Sequence, residues 1–579
     1  MSTFRLTAVL FLLISLSTSL PGQSPRTLIF RTPEGALSQR LISPASIRVD
    51  SVRIPFYLQQ TVLTLQEKGY LLAAVDSLQL QQDTTIAWVY PGNPYRWAVL
   101  RPGNVPAALL SATGFREKLY ADRVISPGVL AKLQEAILTE SDNRGHPFAT
   151  IRLDSVRIAE NKIAASLAYT PGPYIVFDTL TIKGSARLKT RFLADYFRMT
   201  PGQPYSEAVM QRAQRWLRQL SFVQVTSPYG ITFKNDRAYP VFFADTRRAS
   251  SIDGIVGVQP NELEANRLLI NGEVNLQLRN LFNAGRSLLL QWQQIKPASP
   301  RLDLSYWHPA FLRTPLELQA NFNLLKQDSA FYNLHQQLAL GYALSGYGKI
   351  QFRAGLRNSR LGSAATSDSL PVPAFADSRL VFYGISYTWN SLDDIFYPLK
   401  GWQITLSAEA GNKRILKNPQ LSPELYDSLQ LASVQFSLQT EVRQFTPLSR
   451  RSTLLTQIKG GKLVNRNLFQ NELYRLGGLT SLRGFNENAF FASDFAAGTV
   501  EYRYFMEPDS YLFLFYDQAW LKYDIRGGYY EDGPFGAGAG ISLSTNAGIF
   551  SFVYALGQSK ERPFGLNYSK IHFGYTSRF

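Results

Sequence analysis

The four histidines are the first residues to consider for metal or acid–base chemistry, because the 579-residue chain contains no cysteine. A zinc site needs three or four ligands brought together at short, regular spacings. The histidines are far apart and show no such spacing: His146, His308, His335 and His572. We therefore expect no metal site and no cofactor. The lack of cysteine also excludes disulfides and thiolate ligands.

Two further motifs invite a chemical interpretation. Asp393 and Asp394 are adjacent acids, but a turn between strands explains them. The Gly-Ala-Gly-Ala-Gly run at 536–540 lacks the helix that follows a nucleotide-binding loop, which favours a strand of small residues where a loop packs closely. Nucleophile-elbow, zinc-protease and P-loop motifs are missing. The sequence thus predicts a protein that is not an enzyme.

The amino terminus predicts export. In residues 1–22, Arg5 precedes an apolar stretch at 6–16, and small residues follow near a cleavage point. That stretch is too short to span a bilayer, so we expect a cleaved signal peptide. No later apolar run reaches the roughly eighteen residues of a spanning helix. An exported chain of this kind is either a soluble periplasmic protein or a closed barrel, the other structure that satisfies backbone polar groups in lipid.

The formal charge of +17 leaves two interpretations open. Nucleic acid is not an expected partner after an export signal. Lysine and arginine are spread along the chain, which is typical of a solvated excess. Attraction to anionic lipid headgroups or to lipopolysaccharide phosphate is the other interpretation.

Residues 25–245 contain a repeated unit. Short motifs recur at an offset of about 76–80 positions, which indicates tandem modules. Three modules fit, at 26–92, 93–172 and 173–245, each with a strand, two helices and two strands. The first is the poorest match and has no clear opening strand. Gly69 is placed to end a helix that begins near residue 58. For the third we expect a strand at 175–182, helices at 189–197 and 206–220, and strands at 223–228 and 238–244.

Residues 246–579 change character. Short alternating segments, such as 511–520, are separated by turn-forming residues. A membrane barrel uses about nine to eleven residues per strand, and this length allows sixteen strands at about 21 residues per strand and connection. A soluble β-sandwich array would show the same short strands.

The last strand favours the membrane barrel. In residues 571–579, Ile571, Phe573, Tyr575 and Phe579 fall on one face. An edge strand of a soluble sheet would expose these side chains to water.

The run Gly-Gly-Leu-Thr-Ser-Leu-Arg-Gly-Phe at 477–485 is the most informative motif. With it, the chain resembles the BamA/TamA superfamily of outer-membrane proteins, whose signature is an Arg-Gly-Phe here matched by Arg483, Gly484 and Phe485. The turn-like blocks at 280–286 and 389–402 and the module pattern at 172–225 also resemble that family.

The resemblance implies a sixteen-stranded transmembrane barrel preceded by α+β POTRA modules. It implies that the Arg483 loop is folded into the lumen and held by Glu501 and Asp517, since a guanidinium fork binds carboxylates bidentately. Phe573, Tyr575 and Phe579 would form the C-terminal β-signal. Because Phe513 and Phe515 share the parity of Asp517, they should face inward, unless the strand is bulged.

The resemblance leaves two functions open in the outer membrane, with the modules in the periplasm. An assembly factor would capture unfolded client chains by β-augmentation and insert them where the first and last strands meet. A secretion channel would pass one partner protein through the lumen. Three modules favour the assembly factor, because secretion transporters of this type usually carry two modules and a plug helix, which Pro25, Pro33 and Pro44 disfavour. Further expected partners are outer-membrane lipid, lipopolysaccharide, and accessory periplasmic, lipoprotein or inner-membrane proteins.

Overall fold

The computed structural model divides into two compact units. The first runs to Val176 and includes Pro204–Glu207, and the second contains Phe177–Gln203 and the chain from Ala208 onward. The predicted signal peptide and Phe579 lie outside the described residues. The structure describes residues 25–32, 41, 45–260, 268–294, 299–327, 329–344, 346–362, 375–419, 421–526, 528–545 and 548–578.

The first module is a four-stranded sheet packed on a helix. Its core contains the fully buried Leu28, Leu65 and Val89. The sheet order is β2-β1-β4-β3, with β1 parallel to β4, and the elements are β1 (Arg26–Arg31), β2 (Ser46–Val49), α1 (Ile54–Glu67), β3 (Ala74–Gln81) and β4 (Thr84–Tyr90).

One expectation for this module was wrong, because an opening strand, β1, is present. The described residues contain one of the two expected α-helices, and residues 33–40 and 42–44, which precede it, lie outside the described part of the chain. The segment Ser46–Val49 instead pairs antiparallel with β1, because its alternating residues place Ile47 and Val49 toward the apolar core. Pairing to a neighbouring strand therefore decided the structure of this short segment.

The second module follows the expected order. Ile137 of its longer helix packs on Leu100 and Leu167 of the sheet, and all three are buried. The sheet order is β5-β7-β6, and the elements are β5 (Arg96–Arg101), α2 (Ala107–Thr113), α3 (Pro127–Asp142), β6 (Thr150–Ala159) and β7 (Lys162–Thr170).

A hydrogen-bonded joint connects these two modules. The exposed carboxylate of Glu67, at the end of α1, accepts hydrogen bonds from the Ser126 hydroxyl (2.5 Å) and the Gly128 amide (2.8 Å) at the start of α3. The Tyr95 amide donates to the carbonyl of Gly69 at 2.8 Å. A negative charge at a helix amino terminus is favourable because it meets unpaired amides and the positive end of the helix dipole.

The third module has the predicted helices and closing strands. The expected opening strand is divided into two short pieces, of which β9 runs parallel to β11. Trp216 and Leu217 of the second helix are buried, as their spacing predicts. The elements are β8 (Val176–Phe177), β9 (Thr181–Lys183), α4 (Thr190–Phe197), α5 (Glu207–Gln219), β10 (Val223–Lys234) and β11 (Arg237–Thr246).

The remaining strands form a closed antiparallel barrel, which confirms the predicted fold class. Counting β27 and β28 as one strand interrupted near Pro534, the described wall has sixteen strands. They are β12 (Ser251–Pro260), β13 (Leu268–Leu281), β14 (Arg286–Gln294), β15 (Arg301–His308), β16 (Leu316–Gln327), β17 (Phe331–Ala343), β18 (Gly348–Leu361), β19 (Ser378–Asn390), β20 (Gly401–Ile415), β21 (Ala432–Ser449), β22 (Ser452–Val464), β25 (Asp494–Glu507), β26 (Ser510–Ile525), β27 (Gly528–Asp532), β28 (Phe535–Ser544), β29 (Ile549–Gln558) and β30 (Lys570–Arg578). None of the helices within the described ranges has the length and apolar character needed to cross a bilayer.

Strand β26 shows how the wall separates its two faces. Leu512 and Leu514 are exposed on the outside, whereas Phe513, Phe515 and Asp517 are buried on the inside. The pairing of residues 511–518 with β28 has no register shift. The predicted inward direction of the two phenylalanines is confirmed, and it is not produced by a bulge.

The seam between the first and last strands is the least paired part of the described wall. Every residue of β12 from Ser251 to Pro260 pairs with β13. Strand β12 pairs with β30 only through Ser251 with Arg578 and Ile252 with Ser577. The barrel is therefore closed by two residue pairs at this seam in the part of the chain that is described.

The third module packs on the strand turns at one end of the barrel. The Lys189 amide donates to the Asn283 carbonyl at 2.9 Å, in the turn between β13 and β14. Arg247 binds Asp394 in the β19–β20 turn through two hydrogen bonds of 2.8 and 3.2 Å. Asp393 accepts from the Leu399 amide in the same turn at 3.0 Å. The two acids thus belong to a turn, as predicted.

Candidate functional site

The candidate site is the long loop at 465–493, between β22 and β25. A short hairpin of β23 (Tyr474–Leu476) and β24 (Phe490–Ala492) forms its base. Leu482 and Phe485 are buried at its tip. The tip contacts Asp517 and Phe515, which lie on the inward face of β26, so this part of the loop lies against the inner wall.

Glycine permits the sharp turns of the tip. Gly477 and Gly484 have φ values of +119° and +92°, in the region that other residues rarely adopt. The Ser481 hydroxyl fixes the first turn by accepting from the Gly477 amide and donating to the Gly477 carbonyl, both at 2.8 Å. The tip therefore has a defined backbone that presents Arg483 to the wall.

Arg483 binds two carboxylates of the wall. Its Nε and Nη2 donate to the two oxygens of Asp517 at 2.8 and 2.7 Å, and its Nη1 donates to Glu501. The backbone amide of Arg483 also donates to Asp517, at 3.1 Å. We call this cluster, Arg483 with Glu501 and Asp517, the Arg483 anchor.

The Arg483 anchor is enclosed and internally neutralised. The side chain of Arg483 is 11% exposed and that of Asp517 is 2% exposed. The guanidinium lies 3.6 Å from the ring centre of Phe515, and Arg503 donates to the second oxygen of Glu501 at 2.7 Å. Two arginines thus face two acids in a site with little water, where each ion depends on its partners for solvation.

Small residues of the neighbouring wall make room for the tip. A methyl group added at Gly536 would overlap the carbonyl oxygen of Arg483, and one added at Gly557 would overlap the ring of Phe485. Arg562 donates to the Gly484 carbonyl at 3.0 Å from the other side. The interpretation of the glycine-rich run as a strand on which a loop packs is confirmed at Gly536.

The sequence analysis missed a second attachment, on another part of the wall. Lys413 of β20 is fully buried, and its ammonium group donates to Glu472 of the loop and to the Asn467 carbonyl at 2.6 Å. Glu472 also accepts from the Ser378 hydroxyl of β19 at 3.0 Å and from the Phe469 amide at 3.2 Å. We call this cluster, Lys413 with Glu472 and Ser378, the Lys413 anchor.

Asn471 extends the Lys413 anchor to further strands. It is 2% exposed, and its amide donates to the Ala376 carbonyl at 2.9 Å. The Asn333 side chain of β17 donates to the Asn471 carbonyl at 2.6 Å. Strand parity was the sequence signal that could have found this region, because Lys413 shares the inward face of β20 with the buried Glu409.

The C-terminal residues lie elsewhere on the barrel. Phe573 and Tyr575 are exposed on the outward face of β30, with Ile571 beside them. Their role as a β-signal remains a prediction, and Phe579 lies outside the described residues. In the described part of the chain no group of histidine and acidic side chains is arranged to hold a metal ion.

Comparisons with known proteins give the family. The Omp85 superfamily domain matches residues 280–579. No curated protein matches the chain. Among solved structures, CdiB from Escherichia coli has a TM-score of 0.53 at 14% identity, covering 91% of this chain and 97% of the other.

CdiB from Acinetobacter baumannii has a TM-score of 0.54 at 12% identity, covering 92% of this chain and 100% of the other. BamA from Haemophilus ducreyi lacking POTRA domains 1–3 is also similar, with a TM-score of 0.41 at 16% identity, covering 84% and 99%. At these identities the two CdiB structures show a shared fold alone. The domain match spans more than half of the chain, and with the closed barrel it identifies the protein as an outer-membrane β-barrel of the Omp85 superfamily.

Proposed function

We propose that this protein inserts client proteins into the outer membrane at the seam between β12 and β30. The observation that carries the proposal is the seam itself, which two residue pairs close in the described wall. Unpaired backbone groups are costly in lipid, so a barrel opens most easily where the fewest pairs must break. The freed strand edges would then accept the strand of an incoming chain.

The lumen is the less favourable route for a client. The Arg483 anchor attaches the loop to β25 and β26, and the Lys413 anchor attaches it to β19 and β20. Moving the loop aside would separate ion pairs that have little access to water, and each such separation costs several kcal/mol. This contrast supports insertion at the seam over transport through the barrel.

The modules supply sites for capturing clients in the periplasm. Strand β6 (Thr150–Ala159) is an edge of the second module's sheet, and its Val156 and Ile158 side chains are exposed. An extended client segment can pair with such an edge through backbone hydrogen bonds, which do not depend on its sequence. Unfolded outer-membrane chains are the clients we propose, with lipopolysaccharide and accessory proteins as further partners.

The test that separates assembly from dedicated secretion is depletion of the protein followed by quantitative proteomics of purified outer membranes. We expect a broad loss of unrelated barrels. Loss of one secreted or surface protein, with the other barrels unchanged, would overturn the proposal and assign a dedicated transporter.

A second test joins β12 to β30 at the seam with a disulfide cross-link. The chain has no cysteine, so an Ile252→Cys/Ser577→Cys variant can form a cross-link between two paired positions. We expect the oxidised variant to lose assembly activity and to regain it on reduction. The matched control is Leu276→Cys/Leu290→Cys, which links β13 and β14 within a continuous ladder. Full activity with the seam cross-linked would contradict insertion there.

A further inference from the structure

Three arginines of the third module lie together beneath the turn between β17 and β18. Arg198 donates from Nη1 to the Tyr342 hydroxyl at 3.1 Å and from Nη2 to the Ala343 carbonyl at 3.0 Å. Its guanidinium carbon lies 4.5 Å from the ring centre of Tyr342 and 5.3 Å from that of Trp216. The guanidinium carbon of Arg212 lies 5.2 Å from the same Trp216 ring.

Arg215 completes the group on the next turn of α5. It packs against the backbone of Gly346, and its guanidinium carbon lies 5.8 Å from the ring centre of Tyr347. Burial, together with the charges of Arg198 and Arg215, lowers the pKa of Arg212. The three cations, which we call the rim arginines, are thus close enough to repel one another.

Within the described residues, the rim arginines form no ion pair with an acidic side chain. Among the ion pairs formed by the described residues, none includes any of the three, whereas Arg247, just after the module, is paired with Asp394. The Nε atoms of Arg212 and Arg215 are buried and lack a hydrogen-bond partner in the described structure. Three adjacent charges without a counter-ion form a site for an anion.

Apolar and aromatic side chains flank the rim arginines on the outward face of the barrel. Leu338, Leu340 and Tyr342 are exposed on the outward face of β17, toward lipid. Tyr342 is one residue from the end of that strand, and the rings of Tyr347 and Trp389 lie 5.4 Å apart beside it. Tyrosine and tryptophan at strand ends occupy the interface between hydrocarbon and headgroups.

We propose that the rim arginines bind the phosphate of an anionic phospholipid in the adjacent leaflet. Guanidinium groups bind phosphate oxygens through paired, charge-assisted hydrogen bonds. Guanidinium N–H groups of the rim arginines would donate to the headgroup phosphate, while Leu340 and Tyr342 contact its acyl chains. The proposal does not depend on whether the barrel assembles or secretes proteins.

The test uses the full chain, purified in a neutral detergent and titrated with phosphatidylglycerol, with bound lipid counted by native mass spectrometry. We expect the wild-type protein to retain the lipid. The triple variant Arg198→Gln/Arg212→Gln/Arg215→Gln should bind about fivefold more weakly per arginine, or on the order of 100-fold overall. Replacement of all three by lysine should restore part of the binding.

A control variant removes the same charge elsewhere, by changing three exposed arginines of the second module to glutamine: Arg116, Arg152 and Arg157. Folding of every variant is checked by the mobility of the unheated barrel on a gel. Equal lipid loss in control and triple variants would overturn the proposal, as would equal retention of phosphatidylcholine. Displacement of the lipid by millimolar inorganic phosphate would assign the site to the free ion instead.

Discussion

The loop inside the barrel and the joint between the first two modules use similar chemistry in different surroundings. In the loop, Arg483 and Asp517 are almost excluded from water. In the joint, the exposed carboxylate of Glu67 caps α3. We expect burial to decide how strongly a charged contact restrains its region.

The physical reason is the fate of the partner that remains after one group is removed. A buried ion without its partner costs about 3–5 kcal/mol, because water cannot replace the lost contact. An exposed carboxylate or helix terminus is rehydrated instead, so its loss costs about 0.3–1 kcal/mol. The loop should therefore be held far more firmly than the joint.

The largest effect is expected for Arg483→Ala. The change leaves Asp517 buried without its arginine, so the barrel should lose about 4 kcal/mol of unfolding free energy. Urea unfolding followed by tryptophan fluorescence measures the loss, with the exposed Arg360→Ala as the control. A loss below about 1 kcal/mol would mean that water reaches the Arg483 anchor, and the comparison with the joint would fail.

Lys413→Met should cost somewhat less, about 3 kcal/mol, since Glu472 keeps its hydrogen bonds from Ser378 and Phe469. The same urea titration measures it. Adding Glu472→Gln to Lys413→Met removes the unpaired buried carboxylate, so the double variant should recover much of the lost unfolding free energy. If the double variant is as unstable as the sum of its single variants, the two residues do not act as a pair.

Gly536→Ala tests packing without any change of charge. The added methyl group would overlap the Arg483 carbonyl, and relief of that overlap should cost about 1–3 kcal/mol. Gly498→Ala on β25 is the matched control, because its nearest neighbour would be 3.9 Å away. Equal thermal stability of the two variants would show that the tip does not rest on β28.

In the first unit, the pKa of Asp142 is raised to about 6 by burial and by the charge of Glu207. A raised carboxyl pKa contributes stability that is present at low pH and lost as the pH rises through 6. Asp142→Asn should remove this pH dependence and, after allowance for solvent screening, stabilise the unit by about 1 kcal/mol at pH 8. Thermal melts of the wild type and of the variant at pH 4.5 and pH 8 measure this difference. If the melting temperatures of both proteins change equally with pH, the prediction is wrong.

The smallest effect is expected for Glu67→Gln. The amide oxygen can still cap α3 but lacks the negative charge, so the cost should be about 0.5 kcal/mol. A loss of about 0.5 kcal/mol corresponds to hydrogen exchange at the Gly128 amide that is about two- to threefold faster. A change as large as that of Arg483→Ala would remove the distinction between the two regions.

Local pattern explains what the sequence predicted well. The strict alternation of β26 and the run of small residues at 536–540 are patterns within single strands, so both could be recognised in the sequence. The helices of the third module follow from their apolar spacing.

Contacts between distant segments explain what the sequence did not predict. In the sequence, nothing distinguishes Lys413 from other lysines near strand ends. It is buried because it pairs with Glu472 of the loop at 465–493, which is distant in the sequence. The strand at Ser46–Val49 is fixed by its partner β1. The small extent of the seam likewise depends on which distant residues become neighbours.

The contacts of the loop tip that carries Arg483 also constrain the order in which the barrel can form. Gly484 meets Arg562, 78 residues further along the chain, so the tip cannot settle until β28 and β29 have been synthesised and paired. Closing β12 against β30 joins the two ends of the whole barrel and carries the largest loop-closure entropy for the fewest pairs. Nucleation in the C-terminal strands around the tip, with ring closure as the final step, is the folding route that this geometry favours.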